Sequence, residues 1–201
     1  KLAVAQGIFN GQGDLYAAYT NRSFWQQFNK TNSSPFRDTN HEAESWLAFA
    51  TDYNFAGLHN SAIHTGFSHQ STGQSGSLSR RWNRLYTEFL FEKEDVYLSF
   101  KPWFRIPESS HSDDNPDIED YLGNFEFGAL YKKGEHTFDI LARDNLDFGY
   151  NHGAIQFGWS FPCSDNVRGY VKCFNGYGES LIYYNESTQR LSIGVKMTDW
   201  L

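Results

Sequence analysis

Three residues, His69, Ser71 and Asn83, have the side-chain types of a hydrolytic triad. A serine hydroxyl becomes a nucleophile when a base takes its proton, and the base needs a third polar group to fix its tautomer. In a β-strand, His69 and Ser71 would project from one face, about 6.5–7 Å apart along the chain. Asn83 would come from the adjacent strand, and a bend at Thr72–Gly73 would bring the hydroxyl to the imidazole.

The face that would carry this triad is otherwise apolar. Residues in phase with the triad are Ile63, Thr65 and Phe67 on one strand and Leu85, Thr87, Phe89 and Phe91 on the next. In a soluble protein this face would be a dry core, whereas on a transmembrane barrel it faces lipid. The pattern therefore predicts chemistry on a membrane substrate. The alternative is that His69 and Ser71 are ordinary residues at the rim of a barrel, because His-x-Ser alone is a weak motif.

Composition limits the classes of protein to consider. The chain has 201 residues, 18% of them aromatic, and a net charge of -7, which argues against a nucleic-acid partner. Mean hydropathy is -0.62, and no run approaches the roughly 20 apolar residues of a membrane helix. Barrel strands alternate lipid-facing and interior residues, so they dilute mean hydropathy, and aromatic girdles at the membrane interfaces would explain the aromatic content.

Alternation of apolar and polar residues recurs along almost the whole chain and predicts eleven strands. Their expected ranges are 2–9, 14–27, 40–55, 58–70, 81–93, 95–107, 118–132, 135–145, 152–162, 167–178 and 189–200. Short turns alternate with longer polar loops, as at the two rims of an outer-membrane barrel. We therefore predict an all-β, antiparallel transmembrane β-barrel as a single domain over residues 1–201. Because bacterial barrels normally have even strand numbers, we expect twelve strands, the first preceding Lys1.

The competing architecture is a soluble β-sandwich or lipocalin-like barrel with its apolar face inside. The opposite face is bulky and charged, which suits a filled barrel interior better than a solvated surface. Its members include Tyr16, Arg22, Trp46, Arg84, Tyr86, Glu88, Lys101, Trp103, Arg105 and Glu126.

Several separated segments resemble the outer-membrane phospholipase A family. They are Ser33–Asn40, Gly66–Gly73, Arg81–Tyr86, Asp113–Asp117 and Gly176–Leu181. The similarity runs from about residue 14 to the end. The family is a twelve-stranded barrel of Gram-negative outer membranes that hydrolyses acyl esters of phospholipids and depends on calcium and dimerisation.

The resemblance implies a role for each triad residue. Ser71 would be the nucleophile, His69 the general base and Asn83 the residue that orients His69. Gly73 matches the glycine whose amide helps to hold the oxyanion, and it can equally be a turn glycine. Because a neutral Asn offers no charge to the imidazolium, stabilisation must come partly from elsewhere, and calcium is the natural source.

The resemblance also implies a Ca²⁺ site built mainly from uncharged oxygens. Its expected ligands are Ser33 from the partner subunit, Gln74, Ser79 and Asp114. For Asp114 the alternative is an acidic turn, because Asp-Asn-Pro is a common turn composition. Gln70 and Gly76 replace acidic residues usual in the family, which puts the calcium site of the monomer in doubt more than the triad.

Asn21 is a second polar residue on the lipid-facing side. It is in phase with Leu15, Ala17 and Tyr19, and an amide in hydrocarbon is costly unless it is hydrogen-bonded. Its position matches a polar residue of the family's dimer interface. The alternative is a place near the headgroup rim.

The resemblance, together with the barrel pattern, implies a calcium-dependent phospholipase in the outer membrane of a Gram-negative bacterium. It would cleave sn-1 and sn-2 acyl esters of phospholipids and lysophospholipids as a homodimer, with its active site toward the outer leaflet. Two rival functions remain: a non-enzymatic porin or adhesin-like barrel, and a soluble lipid-binding β-barrel.

Overall fold

The computed structural model describes residues 1–31 and 36–197. Its strands are β1 (Leu2–Gly7), β2 (Gly13–Trp25), β3 (Phe36–Phe55), β4 (Leu58–Ser71), β5 (Arg81–Lys93), β6 (Val96–Arg105), β7 (Phe125–Lys133), β8 (His136–Asp144), β9 (Gly153–Ser164), β10 (Val167–Gly176) and β11 (Thr188–Lys196). The remaining elements are α1 (Ile8–Gly11), a single turn in which Phe9 and Asn10 have left-handed backbone angles, the short helix α2 (Ile118–Leu122) and a 3₁₀ turn at Gly76–Leu78. No helix in this part of the chain is long and apolar enough to cross a membrane.

Every strand pairs with the next one in the chain, always antiparallel, so the sheet order is the sequence order. The predicted antiparallel all-β fold and its eleven strands are thereby confirmed. The starts of two strands differ by more than one residue from the prediction: β3 begins at Phe36 rather than at 40, and β7 begins at Phe125 rather than at 118. The end of the last predicted strand, 198–200, lies outside the described residues.

The segment predicted as the start of the seventh strand is the helix α2 instead. Its two buried side chains, Ile118 and Leu122, are four residues apart, which places them on one side of a helical turn. Gly123 ends the helix with φ +69°, and a Cβ there would meet the carbonyl oxygen of Asp144 at 2.1 Å. The spacing of these buried residues is therefore that of a helix. A segment of only five residues is too short for the sequence pattern to show it.

The polarity of the two faces of the sheet is the reverse of that in a soluble barrel: the exposed face is apolar and the interior face is polar. On β5 the side chain of Leu85 is 51% exposed, whereas the next residue, Tyr86, which faces the other side of the sheet, is buried. On β11, Ile193 is 81% exposed. The apolar face is thus outside, which contradicts a sandwich with its apolar face within.

The sheet curves until its last strand approaches its second. Arg190 of β11 lies over the ring of Phe24 of β2, with its guanidinium carbon 5.6 Å from the ring centroid. Arg190 Nε is also 3.0 Å from a carboxylate oxygen of Glu179, and Arg22 of β2 donates to the Glu179 carbonyl at 3.3 Å. Strands at opposite ends of the sheet order therefore share one interior.

The interior is occupied by ion pairs that bridge strands. Arg84 of β5 lies 2.5 Å from Glu42 of β3. Lys101 of β6 lies 3.1 Å from Glu44 of β3. Since a charge taken out of water is costly unless it is paired, these contacts make the polar interior stable.

An apolar cluster fills the interior at the end where the long loops lie. Its buried members are Trp82, Tyr86, Trp103, Ile118, Leu122, Leu181 and Tyr184. Tyr184 donates to the Asp117 carboxylate, and burial, with Asp117 beside it, raises the pKa of the Tyr184 phenol. This phenol therefore stays protonated and keeps its hydrogen bond throughout the neutral range. The cluster leaves the long-loop mouth packed rather than open.

Asp38 fastens the long loop after β10 to the start of β3. Its buried carboxylate accepts hydrogen bonds from the Ser180 hydroxyl at 3.0 Å, the Ile182 amide at 3.2 Å and the Asn40 side chain at 2.6 Å. Asn40 in turn accepts from the Leu181 amide at 3.1 Å. One acidic residue thus satisfies donors from two segments that are far apart in the sequence.

Replacing the Asp38 carboxylate should loosen the packing at the long-loop end of the barrel. Asp38→Ala should lower the free energy of unfolding by about 2–4 kcal/mol, because each buried donor left unpaired costs roughly 1–3 kcal/mol. The matched control is Asp52→Ala, whose exposed carboxylate contacts His59 and should cost under about 1 kcal/mol. Urea unfolding in detergent micelles measures both, and equal midpoints for the two variants would contradict the anchoring role.

Candidate active site

The hairpin of β4 and β5 brings His69 and Asn83 together. They are directly paired across the two strands, so their side chains share the outer face, and His69 Nδ1 lies 2.8 Å from Asn83 Oδ1. An amide oxygen only accepts, so His69 Nδ1 carries the proton and donates it to this bond. The other ring nitrogen, Nε2, therefore holds a lone pair and can act as a base.

Ser71 is the last residue of β4, two residues after His69 and on the same outer face. Its side chain is half-buried. In the part of the chain that the structure describes, no hydrogen bond joins Ser71 to His69, although the two side chains lie on the same face of β4. Catalytic hydrogen bonds are commonly long in a free enzyme and tighten when substrate binds.

The loop between Ser71 and β5 is closed by hydrogen bonds between its first and last residues. The amide of Thr72 donates to the Arg80 carbonyl at 2.9 Å, and the Thr72 hydroxyl donates to the Leu78 carbonyl at 3.0 Å. Gly73 follows with φ +65°, a conformation that glycine adopts without steric penalty. The chain thus bends at Thr72–Gly73, next to the nucleophile candidate.

His41 of β3 is a site residue that the sequence patterns did not single out. It pairs directly with Ser71 across β3 and β4, and a Cβ on Gly73 would lie 3.2–3.3 Å from its ring. The Tyr19 hydroxyl contacts His41 Nδ1. The side-chain amide nitrogen of Asn21 lies 3.2 Å from the same ring nitrogen. A signal that could have identified His41 is its phase. It lies on the same strand face as Ala43, Ser45 and Leu47, which makes it a polar residue on the outer face.

Asn21 therefore has partners inside its own chain. Besides His41, its side-chain oxygen accepts a hydrogen bond from the Ser23 hydroxyl at 3.0 Å. These contacts lower the cost of placing the amide on the outer face. A role for Asn21 in a dimer interface stays a prediction.

Of the expected calcium ligands, Ser79 and Asp114 come together. The Ser79 hydroxyl donates to Asp114 Oδ2 at 2.6 Å, and the Ser79 carbonyl accepts from Arg80 at 2.6 Å. Arg81 Nε lies 3.7 Å from the same Asp114 oxygen. Two guanidinium groups thus surround the oxygens that a cation would use.

The other two expected ligands are not brought to this pair. Gln74 is exposed in the loop, and Ser33 lies outside the described residues. No group of three or more His, Cys, Asp or Glu side chains that could hold a metal occurs in the described part of the chain.

Gln70 and Gly76, which depart from the family pattern, have structural roles. Gln70 faces the interior, where its side-chain oxygen accepts from Trp82 Nε1 at 2.8 Å. Gly76 begins the 3₁₀ turn with φ +65°. Gln70 is therefore directed away from the outer face that carries the triad.

Comparison with known proteins places these features in a family. The profile of the family described as Phospholipase A1 matches residues 1–197. Phospholipase A1 of Salmonella typhimurium is 41% identical over 194 residues, which are 96% of this chain and 65% of that protein. Phospholipase A1 of Escherichia coli K12 is 40% identical over 194 residues, with the same coverage. The chain thus spans about two thirds of the length of these curated relatives.

Solved structures agree with this relation. Outer membrane phospholipase A from Escherichia coli superposes with a TM-score of 0.92 at 37% identity, over 100% of this chain and 81% of that one. The outer membrane phospholipase dimer of Salmonella typhi with bound calcium gives 0.92 at 40% identity, over 98% of this chain and 75% of that one. The predicted β-barrel is confirmed by these matches, and the chain belongs to the Phospholipase A1 family.

Proposed function

We propose that this chain is the transmembrane barrel of a calcium-dependent outer-membrane phospholipase, a single domain over residues 1–201, active as a homodimer. Its reaction is hydrolysis of sn-1 and sn-2 acyl esters of phospholipids and lysophospholipids. The observation that carries the proposal is the 2.8 Å hydrogen bond between His69 and Asn83 on the outer face. It leaves a basic ring nitrogen on the same strand face as Ser71.

In this mechanism Ser71 Oγ attacks the ester carbonyl carbon while His69 Nε2 takes the hydroxyl proton. The carbonyl electron pair moves onto oxygen, and the amide of Gly73 helps to stabilise that oxyanion. His69 then returns the proton to the leaving alcohol, and a water repeats the sequence on the acyl-enzyme. Asn83 holds the imidazole in the required tautomer throughout.

The oxygens near Ser79 suit calcium, which prefers hard ligands such as hydroxyls, carbonyls and carboxylates. Ser79 and Asp114 would hold the ion, with Gln74 and the Ser33 of a second subunit as further ligands. Bound calcium would supply positive charge that stabilises the oxyanion, which compensates for the weaker stabilisation of the imidazolium by a neutral Asn83. Since Arg80 and Arg81 contact the same oxygens, binding requires these guanidinium groups to turn away.

The outer membrane phospholipase of Salmonella typhi is a dimer with bound calcium, which supports the proposed cofactor and assembly. The apolar outer wall supports a place in the membrane, with the long-loop end and the triad toward the outer leaflet. A porin function is disfavoured by the apolar cluster at the long-loop end. A soluble lipid-binding barrel is disfavoured by the exposed apolar face, for example Ile193.

The triad roles predict a graded series of losses. Ser71→Ala should abolish hydrolysis, and His69→Ala should lower kcat by about 10²–10⁴-fold. Asn83→Ala should lose less, because Asn83 exchanges no proton, and Asn83→Asp should retain activity because it keeps the acceptor. Fatty-acid release from mixed micelles with calcium measures the series. Equal losses in His69→Ala and Asn83→Ala would contradict the assigned roles.

Two loop glycines form a matched pair that tests the oxyanion role. Gly73 and Gly76 share φ +65°, but an added Cβ meets the His41 ring only at Gly73, while nothing lies within 4 Å at Gly76. Gly73→Ala and Gly76→Ala should each lose about 1–2 kcal/mol of stability from backbone strain. Only Gly73→Ala should also slow labelling of Ser71 by a sulfonyl fluoride. Equal labelling rates would exclude a special role for Gly73.

Calcium and assembly should be thermodynamically linked. If a ligand crosses the interface, calcium binds the dimer better than the monomer and must strengthen dimerisation. Ser79→Ala should weaken calcium-promoted dimerisation, whereas Ser75→Ala in the same loop should not. Sedimentation in density-matched detergent with calcium or chelator measures both variants. A dimerisation constant that does not respond to calcium would refute the shared site.

A further inference from the structure

Four side chains form one row across the outer wall. Asn21 of β2 pairs with His41 of β3, His41 with Ser71 of β4, and Ser71 with Arg81 of β5. Directly paired residues of antiparallel strands project from the same face, about 4.5–5.5 Å apart at Cβ. His41 therefore flanks Ser71 on the side opposite Arg81.

The contacts of His41 fix which ring nitrogen carries its proton. The Asn21 amide nitrogen can only donate, so His41 Nδ1 accepts from it, and the Tyr19 hydroxyl, which contacts the same nitrogen, then also donates to it. A ring nitrogen that accepts hydrogen bonds does so with its lone pair and carries no proton. The proton of the neutral ring therefore sits on Nε2. His41 has the tautomer opposite to that of His69, whose protonated nitrogen is Nδ1. One histidine thus offers a base and the other offers a donor.

The donor nitrogen of His41 faces the glycine that follows the nucleophile. A Cβ on Gly73 would lie 3.3 Å from Nε2, so this edge of the ring borders the loop mouth. The small Ala43 separates Tyr19 from His69 in the next row of directly paired residues. Space over Ala43 is therefore bounded by His41, Ser71 and His69.

We propose that His41 Nε2–H donates a hydrogen bond to the carbonyl oxygen of the ester whose carbonyl carbon Ser71 attacks, with Tyr19 and Asn21 as residues that position its ring. This deepens the proposed hydrolysis and rests on it. As the bond from Ser71 Oγ to the carbonyl carbon forms, the π pair moves to oxygen, and His41 donates a hydrogen bond without losing its proton. The ring thereby stabilises developing negative charge beside the Gly73 amide.

Three variants of the full chain in mixed micelles with calcium test this assignment. His41→Phe keeps a ring but removes the donor and should lower kcat by about 10²–10³-fold, the cost of a lost oxyanion donor, with little change in KM. His41→Gln carries an amide N–H at similar reach and should recover about tenfold of that loss. Tyr19→Phe removes one of the two contacts to Nδ1 and should lower kcat several-fold, again with KM unchanged.

The matched control is His136→Phe on β8, a histidine stacked on Trp159 outside this row, which should keep wild-type kcat. Sedimentation of each variant shows whether dimerisation is retained, so that a lost dimer is not taken for a lost donor. A His41→Phe enzyme with wild-type kcat, or one that loses activity through KM or dimerisation alone, would overturn the assignment. Absence of hydrolysis in the wild type would instead refute the proposed function itself.

Discussion

Pairing of charges inside the barrel is the constraint on which the outer site depends. Glu42 follows His41 on β3, and Arg84 follows Asn83 on β5, and these two interior residues form an ion pair of 2.5 Å. Because side chains alternate faces, a slip of one residue in either strand would break the pair and turn a site residue inward. The Ser68 hydroxyl, which donates to Glu42 at 2.7 Å from the strand between them, adds a third fixed point. The interior therefore sets the register of the outer face.

The sequence predicts much of this arrangement because alternation in a barrel wall is read directly from residue order. Strand positions and the outward phase of His69, Ser71 and Asn83 follow from period two and from the adjacency of β4 and β5 in the chain. Helix α2 is not predicted, because its two apolar residues fit a short strand as well as a helical turn. The start of β3 at Phe36 is also missed, since Asp38 resembles a loop residue until its buried partners in another loop are known.

His41 and the arginines near Ser79 show the limit of pattern analysis at the site. Which residue of β3 lies beside Ser71 depends on a bulge between Ala50 and Tyr53, which shifts the register of β3 against β4 by one residue, and the sequence does not reveal that bulge. Likewise, Arg80 and Arg81 are adjacent in sequence, yet one contacts the Ser79 carbonyl and the other the carboxylates of Glu108 and Asp114. Such contacts depend on side-chain direction at the start of a strand, which a motif does not encode.

The row that contains Ser71 is built by β2, β3, β4 and β5, which are consecutive in the chain and lie within residues 13–93. Assembly of the site thus needs only the pairing of neighbours, whereas the meeting of Arg190 with Phe24 joins segments more than a hundred residues apart. Loop closure costs less entropy between near segments than between distant ones. In kinetic terms, the geometry of the site belongs to the low-contact-order part of the fold, and circularisation of the wall is a separate, entropically costlier event.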